Sequence, residues 1–505
     1  MQEIYTLFIK KRKINIYFLF FLFSFLLYIP SVFFRAPFYP DEFRNIYIAK
    51  NIKTNFEFFF PNYVDEFYSE KPPFYFWILK TLLSIPIKNF LFFPIFFNTI
   101  VSTLILSINY SFIKKELDKN TAILSSLILS TTAIFYSMTI LVRMDILFLL
   151  FTLLSIYFFY LLLYEDKKSY IFLAGFFSFL ATFTKGAFGI IFPFFVQLAI
   201  SIFLKSKKYF LKILFINIFS ASLIFLWLFL FSFFKKDYLY LLFFKQTILR
   251  GFSPTSHRQP FWYYFLYIWP MFLPWSFFLF GYFLKFKKNK LLLWEKIYLV
   301  WLVGGFFILS SVRSKLPMYL LLLSIPLAGL IAKFLNSQNK KLINNLLFFT
   351  VIFFIFSWLL GWVIFKGKDF IPEAVFSLIL FIIMLFAILK KKIEAKIKIF
   401  FIIWVILLQL INFIYIPVIS KSSTLFKLFL VLQNLNLKFD EVVVTDKKLK
   451  TIEILYLKKP IKYKNSTEDI CLIDKPIILI TEKLNLNCNF LKIERIKDFF
   501  ILYKK

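Results

Sequence analysis

Lys10-Lys11-Arg12-Lys13 stands directly before Ile14-Asn15-Ile16-Tyr17-Phe18-Leu19-Phe20-Phe21-Leu22-Phe23-Ser24-Phe25-Leu26-Leu27-Tyr28, and the two together decide how the chain is read. An apolar run of roughly 20 residues is the length that crosses a bilayer as a helix. A basic cluster at one end of such a run marks the cytoplasmic side. The run covers residues 14–34 and no small-residue cleavage site follows it, so it reads as a retained span and not as a signal peptide. The same pairing recurs along the whole chain: of 505 residues 60% are hydrophobic and 79 are Phe, yet 61 Lys and Arg face 27 Asp and Glu, a net charge of +34. Soluble domains run at about 45–50% apolar, which excludes a soluble globular protein. A basic excess points to nucleic acid only when it is clustered on one face of a domain; here short Lys runs alternate with apolar stretches, so no nucleic-acid partner is expected.

The fold class expected is therefore an α-helical polytopic membrane protein. Residues 72–86 are about 15 long and contain Lys80, too short for a crossing, and read as a helix along the membrane surface. About thirteen crossings then place Lys114 and Lys115, Lys167 and Lys168, Lys205, Lys207 and Lys208, Lys285, Lys287 and Lys288, Lys340 and Lys341, and Lys390 to Lys392 on the cytoplasmic side. The stretches 35–71, 235–260 and 311–317 face outward, with shorter outer turns near 141–145, 184–186 and 366–373. From residue 420 the hydropathy drops. Short β-like runs at 441–445, 476–481 and 499–503 and a helical piece at 424–437 predict a small α/β domain outside the membrane. Cys471 and Cys488 show no zinc-ligand or redox spacing; a disulfide and two unpaired thiols are both open readings.

Charged side chains near hydrocarbon are costly, so those gathered on one side of a bundle are functional candidates. Asp41 and Glu42 are adjacent in Tyr39-Pro40-Asp41-Glu42-Phe43-Arg44. Asp145 opens a span in Arg143-Met144-Asp145. Glu70 and Lys71 sit in Tyr68-Ser69-Glu70-Lys71-Pro72-Pro73, and the single histidine in Ser256-His257-Arg258-Gln259-Pro260. Each has a bland alternative: acids at a helix start favour its positive end, Asp145 caps a helix, Glu70-Lys71 is a surface ion pair. What raises all of them is that the topology places them on one side.

Asp41-Glu42-x-Arg44, Glu70-Lys71-Pro72-Pro73, Arg143-Met144-Asp145, Thr184-Lys185-Gly186, His257-Arg258-Gln259-Pro260-Phe261-Trp262-Tyr263-Tyr264 and Ser314-Lys315-Leu316-Pro317-x-Tyr319, in this order, resemble the polyprenyl-phosphate-dependent glycosyltransferases of the GT-C fold. Among these the sequence is most similar to the 4-amino-4-deoxy-L-arabinose lipid A transferases, which are related to the protein O-mannosyltransferases. The likeness covers residues 39–332 and is general beyond them. It implies a transmembrane glycosyltransferase domain over 1–419 and the extracytoplasmic domain over 420–505, in a bacterial inner-membrane protein with a cytoplasmic N-terminus, expected as a monomer. The resemblance further implies transfer of a sugar from a polyprenyl-phosphate donor to lipid A, another surface glycan or a protein, by direct inverting displacement. A leaving phosphate needs cations and an acceptor needs a carboxylate. The catalytic candidates are Asp41, with Asp145 and Glu42; Arg44, Lys71, Lys315, Tyr68 and Tyr319 are those for the lipid phosphate. Glu70 and His257 are implied as ligands of a divalent ion, zinc or magnesium, in an ordering role. Arg143, Lys185, Arg250, Arg258 and Arg313 rank second, for acceptor phosphates or headgroups. A polyprenyl-lipid transporter is the alternative; transporters favour broken midplane helices and repeats, whereas here the ionisable residues keep to the helix ends.

Overall fold

The computed structural model describes residues 15–241, 257–285, 291–364, 378–386, 392–416 and 424–504, apart from 34, 39, 65, 88, 206, 239, 338, 436–439, 456–459, 465–469, 471–472, 474–475, 483–489 and 497–498. Both cysteines, Arg250 and the expected turn 366–373 lie outside these residues.

The helices run in the order α1 (Ile16–Tyr28), α2 (Asp41–Lys50), α3 (Phe74–Leu83), α4 (Phe92–Lys114), α5 (Lys119–Thr131), α6 (Ala133–Thr139), α7 (Asp145–Glu165), α8 (Ser169–Lys185), α9 (Phe188–Phe203) and α10 (Lys207–Phe234). They continue as α11 (Tyr263–Met271), α12 (Ser276–Leu284), α13 (Leu293–Ser311), α14 (Ser324–Leu335), α15 (Lys340–Ile364), α16 (Ile393–Leu410) and α17 (Thr424–Asn434). Among the described residues seven helices are long and apolar enough to cross a membrane, or nine if two bent pairs each count as one span. Residues 16–32, α8 and α9 are shorter apolar helices. α7 is central, with 72% of its apolar stretch buried, whereas α10 buries 33% and turns the rest outward. The ten residues of α3 reach only about 15 Å at 1.5 Å per residue, in keeping with a helix that does not cross. Lys80 on α3 donates to the carbonyl of Ile52, just past the end of α2, so the charge has a partner in an otherwise apolar helix. Of the aromatic run on α3, Tyr75 and Phe76 are buried in the core, and only Phe74 and Trp77 are partly exposed.

Two bends shape the bundle, 65° between α5 and α6 and 110° between α11 and α12. Thr132 is extended at the first, and Pro270 lies inside α11 before the second. Backbone groups freed inside a membrane must be satisfied by protein, and the two bends satisfy each other. Ala133 N donates to Leu273 O at 2.9 Å, Trp275 Nε1 to Thr131 Oγ1 at 3.1 Å and Trp404 Nε1 to Thr131 O at 2.8 Å. The first bend sends α6 towards the turn that carries Arg143.

A similar repair joins the first span to the last. Pro30 has no N–H for the Leu26 carbonyl, and α1 tightens there into the 3-10 turn Ile29–Val32. Gln409 Nε2 reaches Leu26 O and Leu27 O at 3.2 Å, and Asn412 Nδ2 reaches Leu27 O at 3.0 Å. Asn412→Leu is expected to lower stability by about 1–2 kcal/mol, the upper range for a hydrogen bond between membrane helices; thermal unfolding in detergent checks it.

β1 (Asn62–Tyr63) and β2 (Glu66–Phe67) form a short antiparallel pair. The C-terminal sheet has the order β4-β3-β5-β7-β6, with β3 (Glu441–Val444), β4 (Ile461–Tyr463) and β5 (Ile477–Thr481) parallel and β6 (Leu491–Ile496) and β7 (Phe499–Lys504) antiparallel to their neighbours. One face, with Val442, Val444, Ile478, Ile480 and Ile501, is continuous with the core of the helical body. The other packs Val443, Ile477, Leu479 and Leu502 against Ile470. The turn Thr451–Ile454 leaves β3 and packs on α2, so the small domain rests on the helix that begins with Asp41.

Residues 60–67 and 235–238 are brought together by aromatics. Phe60 and Phe67 of the first lie 5.3 and 5.9 Å, centroid to centroid, from Tyr238 of the second. Lys235 stands 3.7 Å above the Phe67 ring.

Candidate active site

Adjacent residues on a helix point about 100° apart, and at the start of α2 this separates Asp41 from Glu42. The side chain of Glu42 is 1% exposed and faces Arg35, itself fully buried. Its Oε2 accepts from Arg35 Nη1 and Phe38 N, both at 2.6 Å. Its Oε1 accepts from Arg35 Nη2 at 2.9 Å and Val142 N at 2.6 Å. A carboxylate has about four acceptor positions, and all of those on Glu42 are used by the protein. This corrects the placement of Glu42 among the groups facing substrate: it has no lone pair left to offer.

Asp41 stays at the rim, 27% exposed. One turn on, Arg44 Nη2 donates to its Oδ1 at 2.7 Å, and Arg143 Nη1 donates to its Oδ2. Each oxygen keeps a second lone pair. Arg143 also donates from Nε to Asp145 Oδ2 at 3.0 Å, and Lys185 Nζ donates to Asp145 Oδ1 at 2.6 Å. Lys185 is the last residue of α8, where Gly186 at φ +99° turns the chain away in a conformation that suits glycine. Its ammonium lies 5.1 Å above the Tyr319 ring. At the other end Arg44 Nη1 is 3.9 Å from Glu70 Oε2, and Tyr68 Oη donates to Glu70 Oε2 at 3.4 Å. Lys71 follows, half-buried.

The result is a line of alternating charge, Glu70, Arg44, Asp41, Arg143, Asp145 and Lys185, three acids and three bases. Acid exposure rises along it from 3% at Asp145 through 27% at Asp41 to 42% at Glu70, so the line runs from the core to the surface. Burial opposes the charge on Arg143, but Asp145 and Asp41 win and raise its pKa. Burial likewise opposes Arg44, and Tyr68, Asp41 and Glu70 raise it. Arg143, ranked by sequence for acceptor phosphates or headgroups, links Asp41 to Asp145, and Lys185, ranked with it, pairs with Asp145 alone. Arg35 had no role in the sequence reading; its only signal was a cation at the end of an apolar span, where burial demands a partner.

Lys315 lies apart from this line. Residues 257–259 pair with 313–315: Lys315 N donates to His257 O at 3.0 Å and Gln259 N to Arg313 O at 3.1 Å. Lys315 Nζ donates to Gln259 O at 3.1 Å and to Val312 O. Arg258, Gln259, Pro260, Phe261, Ser310, Ser311, Arg313 and Lys315 line a groove of about 370 Å³ with three cations and no acid. Ser310 Oγ is buried there without a hydrogen-bond partner. All six sequence motifs are thus joined by direct contacts, the last through Tyr319 beside Lys185.

Glu70 and His257 would offer a divalent ion two protein ligands at most. Glu70 is engaged by Arg44 and Tyr68, His257 is exposed at φ +59°, and among the described residues no three His, Cys, Asp or Glu side chains gather as ligands. Zinc sites take three or four protein ligands, so no step below runs through a metal.

The whole chain overlays ArnT from Cupriavidus metallidurans bound to undecaprenyl phosphate with a TM-score of 0.76, covering 96% of this chain and 97% of that one at 14% identity. This is the GT-C fold. The apo form of the same ArnT matches at 0.75. The profile of the dolichyl-phosphate-mannose-protein mannosyltransferase family matches residues 70–227. In sequence, the chain is 30% identical over 380 residues to the undecaprenyl phosphate-alpha-4-amino-4-deoxy-L-arabinose arabinosyl transferase of Wigglesworthia glossinidia brevipalpis, covering 68% of this chain and 65% of the relative. It is 32% identical over 332 residues to an uncharacterized protein of Aquifex aeolicus, with 64% of each covered. The chain therefore spans just under two thirds of the length of these relatives.

Proposed function

We propose that the protein is an integral-membrane glycosyltransferase that moves a sugar from a polyprenyl phosphate to an acceptor on the outer leaflet, with lipid A, which the resemblance of the sequence motifs implies, as the acceptor. The observation that carries this reading is Asp41: a carboxylate at the surface end of a buried charge line, held by two arginines yet with lone pairs still open. In the reaction the acceptor oxygen attacks the anomeric carbon from the face opposite the phosphate. Asp41 orients that oxygen and receives its proton, and the C–O bond to phosphate breaks with its electron pair leaving on the phosphate. No enzyme nucleophile takes part, and the configuration inverts. Asp145 takes no proton; it holds Arg143 and Lys185 beside the reacting centre.

The six charges of the line balance, so an incoming phosphate needs a cation from outside it, and Lys71, next to Glu70 in the chain, supplies one. Arg44 and Lys71 with the Tyr68 hydroxyl receive the donor phosphate at the rim, and burial, by raising the Tyr68 pKa, keeps that phenol a donor. The groove with Lys315, Arg258 and Arg313 receives a second phosphate group, suited to a phosphorylated acceptor. The two broken spans, a feature shared with transporters, carry no ionisable residue at their breaks, and the relatives with a named activity are transferases.

Purified protein given a radiolabelled polyprenyl-phosphate sugar and lipid A should form labelled lipid A. Movement of the labelled lipid across vesicles with no transfer to any acceptor would overturn the reading. Burial pulls the Lys315 pKa below the ordinary 10.5. The unfolded chain then holds this proton more tightly, so stability contributed at Lys315 rises as pH climbs through the folded pKa, while the charge needed for phosphate is lost over the same interval. Phosphate binding is accordingly expected to weaken at a lower alkaline pH than for an exposed lysine, and Lys315→Arg to move that loss out of range; titration of labelled phospholipid binding against pH checks both.

A further inference from the structure

We propose that the buried Arg35–Glu42 pair is a positioning device that sets the register between the two backbone segments holding the site's carboxylates. α2 carries Asp41, and the turn 140–144 carries Arg143 and leads into Asp145. Glu42 accepts from Val142 N at 2.6 Å, and Arg35 Nη2 donates to Ile140 O at 2.8 Å. Asn45, one turn beyond Asp41 on α2, donates to Val142 O at 3.1 Å. From below, Asn98 Nδ2 reaches Thr139 O at 3.2 Å and Leu141 O at 2.7 Å. Every one of these bonds ends on the backbone of residues 139–142, and the next side chain, Arg143, is the one that spans Asp41 and Asp145.

A bidentate guanidinium–carboxylate pair fixes direction as well as distance. Arg35 also turns one of the two nitrogens that hold Glu42 towards the turn, so α2 cannot slide along it without breaking bonds to both partners. Neither residue reaches the surface, so neither contacts the sugar or the phosphate; they act through Arg143 and Asp41.

The proposal rests on the transferase reading above, and its test separates the two. A buried ion pair replaced by apolar side chains of similar size is often neutral for stability. The double variant Arg35→Leu, Glu42→Leu should therefore still fold, with its thermal midpoint lowered only by the partners that Phe38 N, Val142 N and Ile140 O lose. It should also keep the KM for donor within about twofold, because Arg44 and Lys71 are untouched, while kcat falls about 100-fold, the scale of an ångström's misplacement. A folded double variant with wild-type kcat would overturn the proposal. Should that variant not fold, Glu42→Gln, which keeps the size and one acceptor oxygen but loses the other and the charge, must show the same split between kcat and KM. A second arm needs no turnover. With Cys471→Ser and Cys488→Ser as background, Asp41→Cys and Arg143→Cys are joined by a short bismaleimide. The cross-link yield should be high with Arg35 and Glu42 present and fall at least about tenfold in the double leucine variant, as a lost register requires. An unchanged yield defeats the positioning role even if the wild-type protein transfers no sugar.

Discussion

Asp41→Asn is expected to leave donor binding intact and to lower the rate of transfer by about 10²–10⁴-fold, the range a positioned general base contributes. The substitution keeps the shape and one oxygen, so α2 still begins at the same place and Arg44 or Arg143 retains an acceptor. What it removes is the charge and the ability to take a proton. Glu42→Gln is the useful contrast, since the two acids are neighbours in sequence. A loss at Glu42 is expected to come with a lower unfolding temperature, because four donors lose their shared carboxylate. A loss at Asp41, 27% exposed, is expected to come with little change in stability. Single-turnover transfer and thermal unfolding measured on both variants distinguish the roles.

The second large effect is expected at Arg143. Its guanidinium joins Asp41 to Asp145, and the Asp145 side chain is 3% exposed. Arg143→Met leaves this buried carboxylate with Lys185 alone, and breaking such a buried arrangement costs about 3–5 kcal/mol. Transfer should fall as well, since Asp41 loses the partner on its Oδ2. Arg143→Lys should recover little, because a point charge cannot bridge two carboxylates as a planar fork does. Thermal midpoints in detergent, measured beside transfer rates, check the pair; a lysine variant with full activity and stability would show that the bridge has no role.

The membrane-spanning character was legible because each crossing imposes a length of apolar sequence that no soluble domain needs. The bends were not: Thr132 and Pro270 lie in apolar runs that read as continuous, and the bonds from Ala133 N to Leu273 O and from Trp275 and Trp404 to Thr131 explain why the chain tolerates both breaks. In the tail, the runs at 441–445, 476–481 and 499–503 appear as β3, β5 and β7. β4 has three residues, and β6 alternates Lys492, Glu494 and Arg495 with apolar neighbours, so neither forms an apolar run.

At the site the sequence placed the motifs on one side and left their pairing open. Nothing in Asp41-Glu42 says which acid turns inward; the helical rotation and the buried Arg35 decide it. Arg143 and Lys185 were ranked second, for acceptor phosphates or headgroups, because a linear sequence shows charge but not the carboxylate across from it. Lys315 was grouped with Arg44 and Lys71 by charge, and the ladder between 257–259 and 313–315 puts it in a groove with Arg258 and Arg313.

Direct displacement, with Asp41 on the acceptor side, needs no nucleophile on the protein. The anomeric configuration of the transferred sugar, read by NMR on product made by the purified protein from a donor of known configuration, tests this most directly. Inversion is the predicted result; retention would require a glycosyl-enzyme intermediate and would contradict the account.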